Sequence, residues 1–207
     1  MLVLVRENFI ILKKFIFQNF VLLLKNNSES GKILQSSWIF KVIVAGAGGV
    51  GKTAMINRYC TGEFQEGYKM TIGAGFHTKA EVLDTGESVK MQLWDFAGER
   101  RFRELLPDYC KGASGAFICF DITDYETFKE VPEWLKIIRQ KAGFIPIILL
   151  GMKWDLPDHE VDFDLANDYA QNAKCNQCVF CSSKENLNIN ESFQAMAKWL
   201  IYYANQE

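Results

Sequence analysis

GAGGVGKT, residues 46–53, is the stretch on which the reading of this chain turns. It matches G-x-x-x-x-G-K-[S/T] in full, follows the apolar run IFKVIVA (39–45) and leads into a helical pattern from Gly51 to about Cys60. A strand that feeds a glycine loop and then a helix is the setting in which this pattern grips phosphate. Gly46, Gly48, Gly49 and Gly51 let the backbone wrap so that successive N–H groups, through Val50 and on to Ala54, converge on phosphate oxygens. The helix N-terminus adds its positive end. Lys52 supplies a point charge for the β- and γ-phosphates, and the Thr53 hydroxyl is a ligand suited to Mg²⁺. The loop alone chooses neither the base nor the reaction.

Outward from the loop, two strand-like runs near Phe76–Leu83 and Ser88–Asp95 flank Asp84-Thr85-Gly86-Glu87, which has hairpin chemistry. The runs AFICFD (116–121) and IPIILLG (145–151) are continuously apolar, as strands buried on both faces are. CVFCS (178–182) is a last short strand, and helical patterns cover about 127–141, 162–173 and 191–204. Strands alternating with helices predict an α/β fold: a three-layer, six-stranded, mostly parallel sheet with one antiparallel edge hairpin and helices on both faces. No internal repeat is visible.

The chain has 207 residues, of which 49% are apolar and 23% charged, which excludes a disordered scaffold. Lys plus Arg total 23 and Asp plus Glu 25, a net charge of -2, so a nucleic-acid partner is not expected. Six irregularly spaced cysteines suit a reduced, cytoplasmic setting better than a disulfide framework.

The later segments carry a resemblance. EFQEGYKMTIGAGF (63–76), KMQLWDFAGERRFRELLPDYCKGA (90–113), GMKWDL (151–156) and CSSKENLNI (181–189) stand in order behind the phosphate loop, and with them residues 39–204 resemble the Ras-superfamily small GTPases, nearest the Rab branch. The resemblance implies a Ras-like P-loop fold and a switch that binds GTP or GDP with Mg²⁺ and hydrolyses GTP. It implies that Thr71 ligates Mg²⁺ and holds the γ-phosphate, that Asp95 holds Mg²⁺ through water, and that the Gly98 N–H meets the γ-phosphate. Phe64 would cover the guanine, Lys153 would lie along it, and Asp155 would accept from its N1–H and N2–H. Ser182, Ser183 and Lys184 match the loop whose backbone meets the guanine O6. Thr53, Thr71 and Asp95 are thus the expected metal ligands, and Lys52, Thr71, Gly98 and position 99 the catalytic set. Effectors, exchange factors and GTPase-activating proteins are the implied partners, with Phe76, Trp94 and Tyr109 matching the aromatics that meet effectors.

Three departures bear on this. Glu99 stands in place of the family's water-positioning glutamine, which predicts slow hydrolysis or a permanently loaded interaction module. Met152 stands in place of the asparagine of N-K-x-D, which leaves open an NTPase of relaxed base choice. The chain ends YYANQE without a cysteine, so a prenyl anchor is not expected. A small-molecule kinase is disfavoured, since no Arg-rich lid-like insertion is present.

Residues 2–24 hold 16 apolar residues in 23, but Lys13 and Lys14 in their midst do not suit a bilayer span, and no small-residue cleavage site follows. They read as an early start codon in AT-rich DNA, a membrane-facing helix, or an extra packed helix. Residues 25–37 read as a polar linker, so the expected organisation is an extension over 1–37 and a GTPase-like domain over 38–207. Cys175-x-x-Cys178-x-x-Cys181 has metal-ligand spacing but no fourth ligand nearby, and Cys181 is expected in the core.

Overall fold

The computed structural model describes residues 37–67, 71, 73–98 and 106–206. The apolar extension, residues 25–36 of the linker and Glu99 lie outside these. The described chain forms β1 (Ser37–Gly46), α1 (Lys52–Thr61), β2 (Ala74–Val82), β3 (Ser88–Phe96), α2 (Leu106–Tyr109), β4 (Gly115–Asp121), α3 (Tyr125–Lys129), α4 (Val131–Ala142), β5 (Ile147–Met152), α5 (Phe163–Asn172), β6 (Gln177–Phe180) and α6 (Ile189–Ala204).

The strands make one six-stranded sheet in the order β2-β3-β1-β4-β5-β6. β2 and β3 pair antiparallel through the expected turn, where Gly86 takes φ 85° and donates to Leu83 O at 2.8 Å. All other pairings are parallel. β4 and β5 are buried at every residue, as their unbroken apolar runs require. One face is covered by α1 and α6, where Tyr59 stacks on Phe193 at 3.7 Å and Phe193 meets Phe117 edge-on at 5.0 Å. The opposite face carries Ile43, Ile118, Phe120 and Leu149 against Phe128, Trp134, Ile138 and Ala166 from α3, α4 and α5.

Several boundaries differ from the sequence reading. β1 starts at Ser37, inside the segment read as linker, because Ser37 and Trp38 find partners in Ser88 and Val89 of β3. The single helix expected over 127–141 is two, parted at Glu130. Pro132 in the first turn of α4 has no N–H to donate, and its ring opposes continuation from the preceding turn. The short α2 has no periodicity long enough to announce it.

Chain order brings the carboxyl ends of β1, β3, β4, β5 and β6 to one edge of the sheet. From β1 the parallel sheet extends to β3 on one side and to β4 on the other, so the switch point lies at the end of β1. That is where open α/β sheets leave a crevice for a ligand.

Candidate functional site

The loop after β1 is shaped by backbone that only glycine takes easily: Gly46, Gly49 and Gly51 have φ of 136°, 76° and 105°. A Cβ on Gly46 would lie 2.0 Å from Cys119 O, so the loop starts tight against β4. Within the curl, the Lys52 ammonium donates to Gly46 O at 2.9 Å and Ala47 O at 2.7 Å. Lys52 is buried, and these carbonyls help to hold its charge at the floor of a cleft of about 380 Å³.

Three oxygen donors from distant parts of the chain meet beside it. Thr53 Oγ1 donates to Asp95 Oδ2 at 2.5 Å and lies 2.7 Å from Thr71 Oγ1. A hydroxyl has one proton, so with that of Thr53 given to Asp95 the Thr71 hydroxyl donates to Thr53. Asp95 is 1% exposed and its buried Oδ1 has no hydrogen-bond partner among the described residues. Burial raises its pKa from 3.8, opposed by the Thr53 hydroxyl, by the nearby Lys52 and His77, and by Thr71. An orphaned carboxylate oxygen beside two hydroxyls is a hard-oxygen set that suits a small divalent cation, so the residues fit Mg²⁺.

Gly98 closes this end from above. A Cβ there would stand 2.2 Å from Ala47 C and 2.3 Å from Gly48 N, so the loop after β3 touches the phosphate loop backbone to backbone.

At the other end of the cleft, β5 ends in Met152, 1% exposed, and a Cβ built on Gly51 would lie 3.9 Å from its Cε. Met152 fills space here without a hydrogen-bonding amide. Lys153 turns into the left-handed region at φ 66°, and its ammonium pairs with Asp121 Oδ2 at 2.5 Å. Asp155 Oδ1 accepts from the buried Ser182 hydroxyl at 2.6 Å.

Gly48, Gly49, Val50, Gly51, Lys52, Thr53, Ala54, Phe64, Thr71, Gly98, Met152, Lys153, Asp155, Ser183 and Lys184 all line the one cleft. Three expected residues do not: Gly46 lies beneath it, Asp95 acts through Thr53 and Thr71, and Ser182 through Asp155. Glu99 lies outside the described residues.

Sequence reasoning missed two supports. Asp121, which anchors Lys153, ends an apolar strand and has the Thr123 N–H and hydroxyl on its Oδ1 at 3.0 and 2.7 Å. Arg58, in the last turn of α1, reaches the loop after β6 and donates to Ser183 O and Lys184 O, each at 2.7 Å. Only a 125-residue separation closed by the fold brings Arg58 to Ser183, and no local pattern marks it.

Among the other candidates, Phe76 is 54% exposed and meets Trp94 edge-on at 5.3 Å, while Trp94 is half-buried beside Tyr109. Cys181 and Cys178 are buried, and burial pushes the Cys181 thiol up to about 12 and the half-buried Cys175 to about 11, which holds both as thiols. No helix among the described residues is long and apolar enough to cross a membrane.

Comparison with known protein families matches residues 41–201 to the Ras family.

Proposed function

Because the chain belongs to the Ras family of small GTPases, and so is a GTP-binding switch, we propose that it is a Rab-like switch that holds GTP or GDP with Mg²⁺ and hydrolyses GTP slowly. The observation that carries this is the cleft itself. Lys52 and an orphaned Asp95 carboxylate, flanked by Thr53 and Thr71, stand at one end, and an Asp155 carboxylate held by Ser182 at the other. Charge for phosphate and metal and an acceptor for a base thus line the same cleft.

Each residue then has a task. The glycine loop presents N–H groups to the phosphates, and Lys52 balances their charge from below. Mg²⁺ would be held by Thr53, Thr71 and Asp95, and when bound it neutralises charge on the β- and γ-phosphate oxygens. Asp155 accepts from guanine N1–H and N2–H, and a base lacking them leaves its carboxylate unpaired. Thr71 and Gly98 sit on the two segments that the γ-phosphate holds, so loss of that phosphate frees both for partner exchange. Effectors, exchange factors and activating proteins are proposed to dock there, with exposed Phe76 as an apolar contact. Residues 38–207 form the switch domain in this reading, and residues 1–24 are the segment proposed to touch a membrane.

Purified protein is denatured and its released nucleotide identified by chromatography. GDP is expected; adenine nucleotide would refute the guanine reading. Slow hydrolysis follows from Glu99, since an ionised carboxylate cannot donate to the γ-phosphate while it orients the water. Glu99→Gln is therefore expected to raise single-turnover phosphate release at least several-fold, and a variant no faster than wild type would show that Glu99 does not limit the step.

A further inference from the structure

Arg58 belongs to neither the phosphate loop nor the base-reading loop, yet it touches both the loop after β6 and the Phe64 ring. Its Nε donates to Ser183 O at 2.7 Å, Nη2 to Lys184 O at 2.7 Å and Nη1 to Gly62 O at 2.7 Å. Its guanidinium carbon also lies 5.8 Å from the centre of the Phe64 ring. The contact to Ser183 is partly buried and the other two are exposed, so the first has the least competition from water.

The peptide plane turns these contacts into a directional constraint. In a trans peptide the C=O of one residue and the N–H of the next point to opposite sides. With the carbonyls of Ser183 and Lys184 drawn toward α1, the N–H groups of Lys184 and Glu185 must face away from it. Glu185 N–H does so: it donates to Ser182 Oγ at 3.0 Å, and the Ser182 hydroxyl donates to Asp155 Oδ1 at 2.6 Å. The same constraint turns Lys184 N–H away from α1, and Ser183 and Lys184 both line the cleft. One guanidinium thus sits at the head of a relay through the Lys184–Glu185 peptide and the Ser182 hydroxyl to the base-reading carboxylate. The same group packs on the aromatic that would cover the base.

We propose that Arg58 is a positioning residue for a 6-oxo purine: it fixes the backbone donor aimed at the purine O6 and, through Ser182, the carboxylate that reads the opposite edge. The proposal rests on the guanine-nucleotide reading of the cleft and extends it from which residues touch the base to what selects it. An Arg is required because its planar fork serves two carbonyls at once, which a single ammonium cannot do in the same geometry.

The test uses the full chain as wild type, Arg58→Ala and Arg58→Lys, with Mg²⁺ in excess. Dissociation of a fluorescent GDP is timed, and the affinities for GDP and 6-thio-GDP are compared, because sulfur is a weak acceptor at position 6. Arg58→Ala is expected to release GDP about tenfold faster and to lose much of the wild-type preference for GDP over its 6-thio analogue. Arg58→Lys should fall near Ala on both measures. Faster release with an unchanged GDP to 6-thio-GDP ratio would make Arg58 a brace only and overturn the proposal, as would a wild-type release rate. Should the Ala variant fail to fold by circular dichroism, the Lys variant decides on the same two measures. A wild-type protein that binds no guanine nucleotide overturns the reading of the cleft and this proposal together, whereas the preceding outcomes overturn the role of Arg58 alone.

Discussion

Asp95 is held where its charge is least welcome. Burial raises its pKa above 3.8, so without a cation the ionised form costs stability at neutral pH. Between 3.8 and the folded-state pKa the folded protein binds more protons than the unfolded chain, so this contribution weakens the fold as pH rises through that window. Asp95→Asn, free of Mg²⁺ and nucleotide, is therefore expected to melt about 2–4 °C higher at neutral pH, with the gap narrowing on acidification. The same variant should lose Mg²⁺-dependent nucleotide affinity, and calorimetry with and without Mg²⁺ checks both. Equal melting temperatures at neutral pH would mean that Asp95 is not strained in the metal-free protein. Gly98 is constrained by space instead. In Gly98→Ala the new Cβ meets backbone atoms of Ala47 and Gly48 at 2.2 and 2.3 Å, which no rotamer relieves, so one loop must move. A loss of GTP affinity of at least about tenfold is expected. Unchanged affinity in a titration would show that binding does not need this contact.

Among the elements, α5 shows how stability and site can be parted. Its N-cap Asp162 accepts from Leu165 N at 2.8 Å, which satisfies one of the donors that a helix start leaves unpaired. No residue of α5 lines the cleft. Asp162→Ala is expected to cost about 1 kcal/mol, or 2–4 °C in melting temperature, with GDP affinity unchanged; a fall in affinity would tie α5 to the site. α3 and α4 carry a different lesson. Their apolar spacing runs on across Glu130, and periodicity alone reads them as one helix, yet Pro132 parts them. β1 was extended in the opposite direction, since Ser37 and Trp38 carry no strand pattern of their own and are recruited by their partners in β3.

At the scale of the whole molecule, the six paired strands and both helical layers lie within residues 37–206. A chain starting at residue 37 is therefore expected to fold and bind GDP with affinity close to that of the full chain, since each layer already covers its face of the sheet. A large loss of melting temperature or affinity on this truncation would show that the domain needs residues 1–36. The sheet also explains how much of the site was legible beforehand. The phosphate loop and the alternation of strands and helices could be read from the sequence, because each depends on local chemistry: glycines for the curl, a lysine and a threonine at fixed spacing, apolar runs for buried strands. The family resemblance assigned Thr71, Asp95, Gly98 and Asp155 to one site; Thr71, Gly98 and Asp155 line the cleft, and the fold brings Thr53, Thr71 and Asp95 within hydrogen-bond reach. What only the tertiary structure decided is how those groups are supported. Arg58 reaches Ser183 across 125 residues, Lys153 finds Asp121 across a strand pairing, and Gly98 lies backbone to backbone on the phosphate loop. Such contacts leave no period or motif in the chain, because they are set by which strand ends lie side by side, and that is a property of the folded sheet.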